Sequence, residues 1–126
     1  MRRMFQAFLV LFGLVVIGIS MAHLAVGPEA IIGGSPVNPT ANGEDRFFAG
    51  VFLCYGVAVL WCARDVQHKR RYVTFLAVAM FVGGLGRLLA TLTVGLPDPF
   101  YVAMVVVELA LPPIIVLAAR KVEAPT

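Results

Sequence analysis

The 126-residue chain is short of charged residues, and this shortage is the most informative feature of its composition. Charged residues make up only 13% of the sequence, whereas apolar residues make up 60%. A soluble domain carries roughly 25% charged residues, so this composition excludes an ordinary soluble protein. The mean hydropathy of +0.92 agrees with that conclusion. We therefore predict an integral membrane protein, with residues 1–126 forming a single domain.

The chain also lacks the motifs of the common enzyme classes. The two cysteines, Cys54 and Cys62, would lie about 12 Å apart along a helix, too far for a disulfide, so we predict that they only pack. No metal-ligand spacing, Gly-x-Ser-x-Gly elbow or phosphate-binding loop is present in the sequence. We predict no catalytic residues, no metal, no cofactor and no enzymatic activity. An uncharacterised membrane enzyme remains the alternative, because Arg, Glu, Tyr and His can together perform acid–base chemistry.

Long apolar runs occupy most of the chain and predict its fold class. Only helices and closed barrels satisfy the backbone in lipid, so we predict an all-α membrane protein with four transmembrane helices. The predicted spans cover about residues 4–26, 46–63, 72–94 and 99–119, and an outer loop covers residues 27–45. Small residues around Ser20-Met21-Ala22 suggest a cleaved signal peptide as an alternative for the first run. Its apolar character continues to Val26, which favours a retained helix.

The basic residues predict the orientation of the chain. Eight of them fall on one side of a four-span arrangement: Arg2, Arg3, Arg64, Lys69, Arg70, Arg71, Arg120 and Lys121. Arg46 falls on the other side and Arg87 lies within a span. Because cytoplasmic loops carry the basic excess, we expect both termini in the cytoplasm and a multi-pass protein of the cell inner (plasma) membrane. Basic residues that flank apolar runs do not form a groove, so we predict no nucleic-acid partner.

Two charged residues, Arg87 and Glu108, lie inside predicted spans. A charge at the bilayer centre costs about 2.5–3.5 kcal/mol on insertion scales, so each needs a partner or a wet cavity. Their estimated depths differ by only about 4 Å, and a tight turn joins their helices. We predict an ion pair, and two interpretations stay open: a structural link or an outward-facing pocket for a ligand, proton or partner. A small-residue face at Ala79, Gly83, Gly86 and Ala90 would allow the two helices to approach closely.

Four further polar residues complete the set of predicted ligand- or partner-binding residues. Tyr55 is expected at the depth of the Arg87–Glu108 pair, where it could satisfy a leftover hydrogen bond. His23 is shallower, and Asp45 and Arg46 border the outer loop. Asp45 also has a structural interpretation, in which Asn42 caps the second helix and Asp45 is its third-position acid.

An ordered series of short motifs resembles a known family. The motifs are Asp45-Arg46-Phe47, Tyr55-Gly56, Gly83-Gly84-Leu85-Gly86-Arg87-Leu88, Gly95-Leu96-Pro97-Asp98-Pro99 and Glu108-Leu109. In this series the chain resembles the bacterial four-helix integral-membrane family of unknown function, domain of unknown function 4345. The resemblance implies a four-helix fold with a recurrent arginine and glutamate at the positions of Arg87 and Glu108. It implies no activity.

The sequence therefore favours a binding role over catalysis. We expect a non-catalytic accessory or interaction subunit of a larger membrane complex, with lipid or other hydrophobic cargo as a candidate. Its partners would be membrane lipids and proteins within the membrane. The alternative is a free-standing lipid or small-molecule binder, or a proton-coupled transporter, that uses an outward-facing pocket at Arg87 and Glu108.

Overall fold

The computed structural model describes residues 2–122, and that part of the chain is helical without a strand. The helices are α1 (Arg2–Val26), α2 (Pro39–Ala63), α3 (Arg70–Thr93) and α4 (Pro99–Lys121), with a 3-10 turn at Gly27–Ala30 after α1. All four helices are long and apolar enough to cross a membrane. The predicted all-α, four-span fold is confirmed, and it indicates a multi-pass membrane protein.

The chain divides into two compact units, which we call the α1–α2 unit and the α3–α4 unit. The α1–α2 unit covers Arg3–Arg64, and the α3–α4 unit covers the described residues from Asp65 onward together with Arg2. The arrangement of the four helices as a single domain stays a prediction.

In the α1–α2 unit, α1 buries one face. The buried residues are Phe5, Leu9, Gly13, Val16 and Ser20, at the three- and four-residue spacing of a single helical stripe. A Cβ atom placed on Gly13 would lie 3.1 Å from the backbone oxygen of Gly56, and one on Gly56 would lie 3.2 Å from that of Gly13. Each glycine thus lies against the backbone of the opposite helix, so α1 and α2 come close together at this point.

Helix α2 begins at Pro39, before the predicted start of the second span at Arg46. Asn38 is its N-cap, because the Asn38 side chain accepts a hydrogen bond of 2.8 Å from the Ala41 N–H. Pro39 supplies the fixed φ that suits the first helical position. The interpretation of Asn42 as the cap is therefore wrong, since Asn42 lies inside the helix. The predicted outer loop, residues 27–45, includes the 3-10 turn and the first turns of α2.

In the α3–α4 unit, the face of α3 that packs against α4 differs from the face predicted from the sequence. Its buried residues are Val73, Ala77 and Gly84. A Cβ atom on Gly84 would lie 2.9 Å from the Glu108 Cβ, whereas a Cβ atom on Gly83 or Gly86 would meet no atom within 4 Å. The predicted contact face at Gly83 and Gly86 is therefore wrong. Successive residues point about 100° apart on a helix, so Gly83 lies away from the line that Gly84 shares with Ala77.

Large apolar side chains remain exposed along all four helices. Leu11 is 63% exposed, Val57 54%, Val82 59% and Ile114 60%. Water would disfavour so much uncovered apolar surface, whereas lipid tails or the helices of other membrane proteins can cover it.

Candidate functional site

Arg87 of α3 and Glu108 of α4 form the predicted ion pair. The Arg87 Nε lies 3.0 Å from the Glu108 Oε2. The Arg87 side chain is 44% exposed, whereas the Glu108 side chain is only 13% exposed. The pair therefore joins a mostly buried carboxylate to a guanidinium that reaches the surface of the unit. Its role in binding a ligand or partner stays a prediction.

The carboxylate of Glu108 is incompletely satisfied. Its Oε2 atom is buried and accepts no hydrogen bond from any residue between 2 and 122, although the Arg87 Nε is at ion-pair distance. Gly84 permits this arrangement, because any Cβ there would lie 3.2 Å from the Glu108 backbone carbon. The contact of this oxygen with Arg87 is therefore an ion pair at 3.0 Å.

Tyr101 extends the pair towards the N-terminal end of α4. The Arg87 Cζ lies 5.4 Å from the centroid of the Tyr101 ring, within the range of a cation–π interaction. The arginine side chain therefore contacts the carboxylate with its Nε and the aromatic ring with its outer end. Sequence reasoning missed Tyr101, although its position seven residues before Glu108 places both on one face of α4.

The Arg87–Glu108 pair has polar groups that can interact with another molecule. An arginine has five N–H donors, and the Nε of Arg87 lies next to the Glu108 carboxylate. The exposed part of the guanidinium can bind a carboxylate, phosphate or carbonyl group. The buried Glu108 oxygen can accept a hydrogen bond or a proton.

His23 and Asp45 pair within the α1–α2 unit. The His23 Nδ1 lies 2.9 Å from the Asp45 Oδ2 and 3.1 Å from the Oδ1, and each side chain is 18% exposed. An ionised carboxylate has no proton to give, so the His23 Nδ1–H is the donor and the Nε2 atom faces away from this bond. The sequence placed both residues near the outer loop but did not predict that they pair.

Arg46 links α2 to the C-terminal end of α1. Its NH1 donates to the Leu24 carbonyl oxygen at 3.1 Å, and its Nε donates to the Asn42 Oδ1 at 3.0 Å. The last carbonyl groups of a helix lack intrahelical donors and carry partial negative charge, so the guanidinium stabilises this helix end. Gly27 packs against the Arg46 guanidinium, and its φ of +66° is a conformation that favours glycine. His23–Asp45 and Arg46–Leu24 thus each join α1 to α2 at this end of the unit, and the predicted role of His23, Asp45 and Arg46 in binding a ligand or partner stays a prediction.

Tyr55 lies in the α1–α2 unit among aromatic rings. Its ring centroid is 5.8 Å from that of Phe52 and 6.4 Å from that of Phe12. The predicted position of Tyr55 at the depth of the Arg87–Glu108 pair stays a prediction. Between residues 2 and 122, no three His, Cys, Asp or Glu side chains are grouped so that they could hold a metal ion.

One of three comparisons with known proteins found a match, and it agrees with the motif series. Searches of curated proteins and of solved structures found no match. The family described as Domain of unknown function (DUF4345) matches residues 4–119, a region that contains nearly all of the four helices together with Arg87 and Glu108. The chain, whose own four helices are long and apolar enough to cross a membrane, therefore belongs to this family.

Proposed function

We propose that this protein is a non-catalytic accessory or interaction subunit of a larger complex in the inner (plasma) membrane. The observation that carries this proposal is the uncovered surface of α3. Ala79, Gly83, Gly86 and Ala90 are all exposed, and they follow one another at the spacing of a single helical face. Added Cβ atoms on Gly83 and Gly86 would meet no atom within 4 Å.

Small-residue faces suit helix association in membranes, where close backbone contact and packing replace the hydrophobic effect. The α3 face is flanked by exposed large apolar residues, including Val82 at 59% and Leu89 at 62%. A partner helix that approaches the glycines would pack against these side chains on either side. Lipid or another hydrophobic molecule is the candidate cargo of such a complex.

Affinity purification in mild detergent tests the proposal. Leucines at Gly83 and Gly86 should fill the open face and remove a stoichiometric partner chain that co-purifies with the wild type. Gly18→Leu with Gly50→Leu is the matched control, because added Cβ atoms at these positions also meet no atom within 4 Å. The control should retain the partner. Absence of any stoichiometric partner from the wild type, or equal loss in both double variants, would contradict the proposal.

We also propose that both termini are cytoplasmic, and thiol labelling provides the test. Cysteines introduced singly at Ser35 and Gln67 need a background without Cys54, which is exposed, and Cys62. A membrane-impermeant reagent should label the Ser35→Cys protein in intact cells and label the Gln67→Cys protein only after lysis. The reverse pattern would show that the orientation is inverted, and labelling of both in intact cells would contradict the span count.

A second candidate function is binding of a lipid or small molecule, or proton-coupled transport, at Arg87 and Glu108. The specific observation that favours it is the buried Glu108 Oε2 without a hydrogen bond, beside a guanidinium that is 44% exposed. Ionisable groups inside a membrane segment are commonly functional. Mass spectrometry of the purified protein separates the two candidates: a retained ligand that is lost in Arg87→Leu supports this second function.

A further inference from the structure

The α3–α4 unit carries a concentration of positive charge at one end. The Arg70 NH1 donates to the Val122 carbonyl oxygen at 3.1 Å, which ties the start of α3 to the residue that follows α4. This contact brings the basic residues of both helices to the same end of the unit. They are Lys69, Arg70, Arg71, Arg120 and Lys121, which we call the basic end.

Few acids compensate this charge. Asp65 precedes α3, and its hydrogen bond of 2.7 Å with the His68 Nδ1 holds the pKa of Asp65 below its usual range, so Asp65 contributes one negative charge. The other nearby acid in the sequence is Glu123, which follows the described residues. Five basic residues against these two acids leave an excess of three positive charges. At the other end of the unit, Asp98 is the one charged residue between positions 88 and 107.

The basic end is accessible. Arg71, Arg120 and Lys121 are exposed, and the neighbouring Tyr72 ring is 55% exposed. Tyrosine rings favour the headgroup level of a membrane, because one end of the ring is apolar and the other is polar. We therefore expect the exposed charges to lie at the level of the phosphate headgroups.

Exposed apolar side chains continue from these charges along both helices. On α3, Phe75 follows Arg71 by four residues and is 71% exposed, and Val78 and Val82 follow on the same face at 52% and 59%. On α4, Leu117 precedes Arg120 by three residues and Lys121 by four, and Ile114 lies three residues before Leu117; their side chains are 57% and 60% exposed. The surface of the unit is therefore basic at one end and apolar along the helices. A molecule with a negative headgroup and long apolar chains would match both parts.

We propose that the basic end of the α3–α4 unit is a binding site for an anionic glycerophospholipid. Arg71 and Arg120 contact the headgroup phosphate, and the acyl chains lie along Phe75 on α3 and Leu117 on α4. A free phosphate ion shares the headgroup chemistry but makes no use of the apolar surfaces. The combination of exposed charge and adjoining apolar stripes favours the lipid.

The test measures lipid bound to the full-length protein by native mass spectrometry, with phosphatidylglycerol and phosphatidylcholine as probes. The wild type should bind phosphatidylglycerol in preference to phosphatidylcholine. Each basic residue near an anionic membrane surface contributes roughly fivefold in affinity, so R71Q with R120Q should weaken phosphatidylglycerol binding about 25-fold. The charge-conserving pair R71K and R120K should stay within about twofold of the wild type.

The matched control removes the same number of charges elsewhere. Arg3 and Arg64 are exposed, belong to the α1–α2 unit and are expected on the same side of the membrane, so R3Q with R64Q should leave phosphatidylglycerol binding within about twofold. Equal loss in both glutamine double variants would overturn the site in favour of a general charge effect. Equal affinity for the two lipids would also overturn it, and competition by inorganic phosphate at the lipid's own concentration would assign the site to a free anion.

Discussion

Arg87→Leu is expected to lower the free energy of unfolding in detergent by about 3 kcal/mol. The substitution leaves the Glu108 carboxylate in place without its counter-charge, and that side chain is only 13% exposed. Glu108→Leu should cost less, about 1 kcal/mol, because the guanidinium it leaves behind is 44% exposed and can turn towards water or headgroups. The asymmetry between the two variants follows directly from the unequal burial of the partners.

The double variant Arg87→Leu with Glu108→Leu should recover much of the stability, since apolar replacement of both partners is often nearly neutral. A double-mutant cycle on thermal or denaturant unfolding should give a coupling of at least about 1 kcal/mol. Arg87→Leu combined with Glu44→Leu is the control, because Glu44 is an exposed acid of the other unit and the two effects should add. Additive losses for Arg87 and Glu108 as well would contradict the ion pair.

The cycle also bears on function. If the double variant is stable but fails to support the protein's cellular role, the charges are kept for a ligand, proton or partner and not for the fold. If it is stable and active, the pair is structural and the accessory-subunit proposal rests on the apolar surface alone.

The limits of sequence reasoning are clearest at the ends of the helices. The start of α4 was predictable, because Asp98 and Pro99 provide a cap and a first helical residue, and the Phe100 N–H indeed donates to the Asp98 Oδ1 at 3.0 Å. The start of α2 was not found, because a hydropathy pattern reports what lipid can cover and not where a helix begins. The Asn38-Pro39 pair carries the same kind of cap signal, within a polar segment that was assigned to the loop.

The candidate site shows a similar division. Arg87 and Glu108 could be paired from the sequence, because a tight turn fixes the relative depth of their two helices. His23 and Asp45 could not, because a long connection separates α1 from α2 and leaves their register undetermined. For α3, composition located the small residues but not the face that meets α4, since Gly83 and Gly84 are adjacent and only one of them can point at Glu108.

Substitution of these adjacent glycines should give effects of opposite sign. Gly84→Ala is expected to destabilise the protein by about 1–3 kcal/mol, because α3 approaches the backbone of α4 at this point. The added Cβ would lie 2.9 Å from the Glu108 Cβ and 3.2 Å from the Glu108 backbone carbon. Backbone atoms cannot turn aside as a flexible side chain does, so the helices must separate, and separation also lengthens the Arg87–Glu108 contact.

Gly83→Ala is the matched control on the same helix, because a Cβ there would meet no atom within 4 Å. Replacement of glycine by alanine in a helix interior stabilises by roughly 0.5–1 kcal/mol when nothing opposes it. Both substitutions change the helix propensity by the same amount. The difference between the two free energies of unfolding, measured in the same detergent, therefore gives the contribution of close packing at Gly84. If Gly84→Ala proved as stable as Gly83→Ala, α3 would not approach α4 at Glu108, and the geometry of the ion pair would be wrong. If Gly83→Ala were also strongly destabilising, its open face would already be filled within the purified protein, and the accessory-subunit proposal would lose its docking surface.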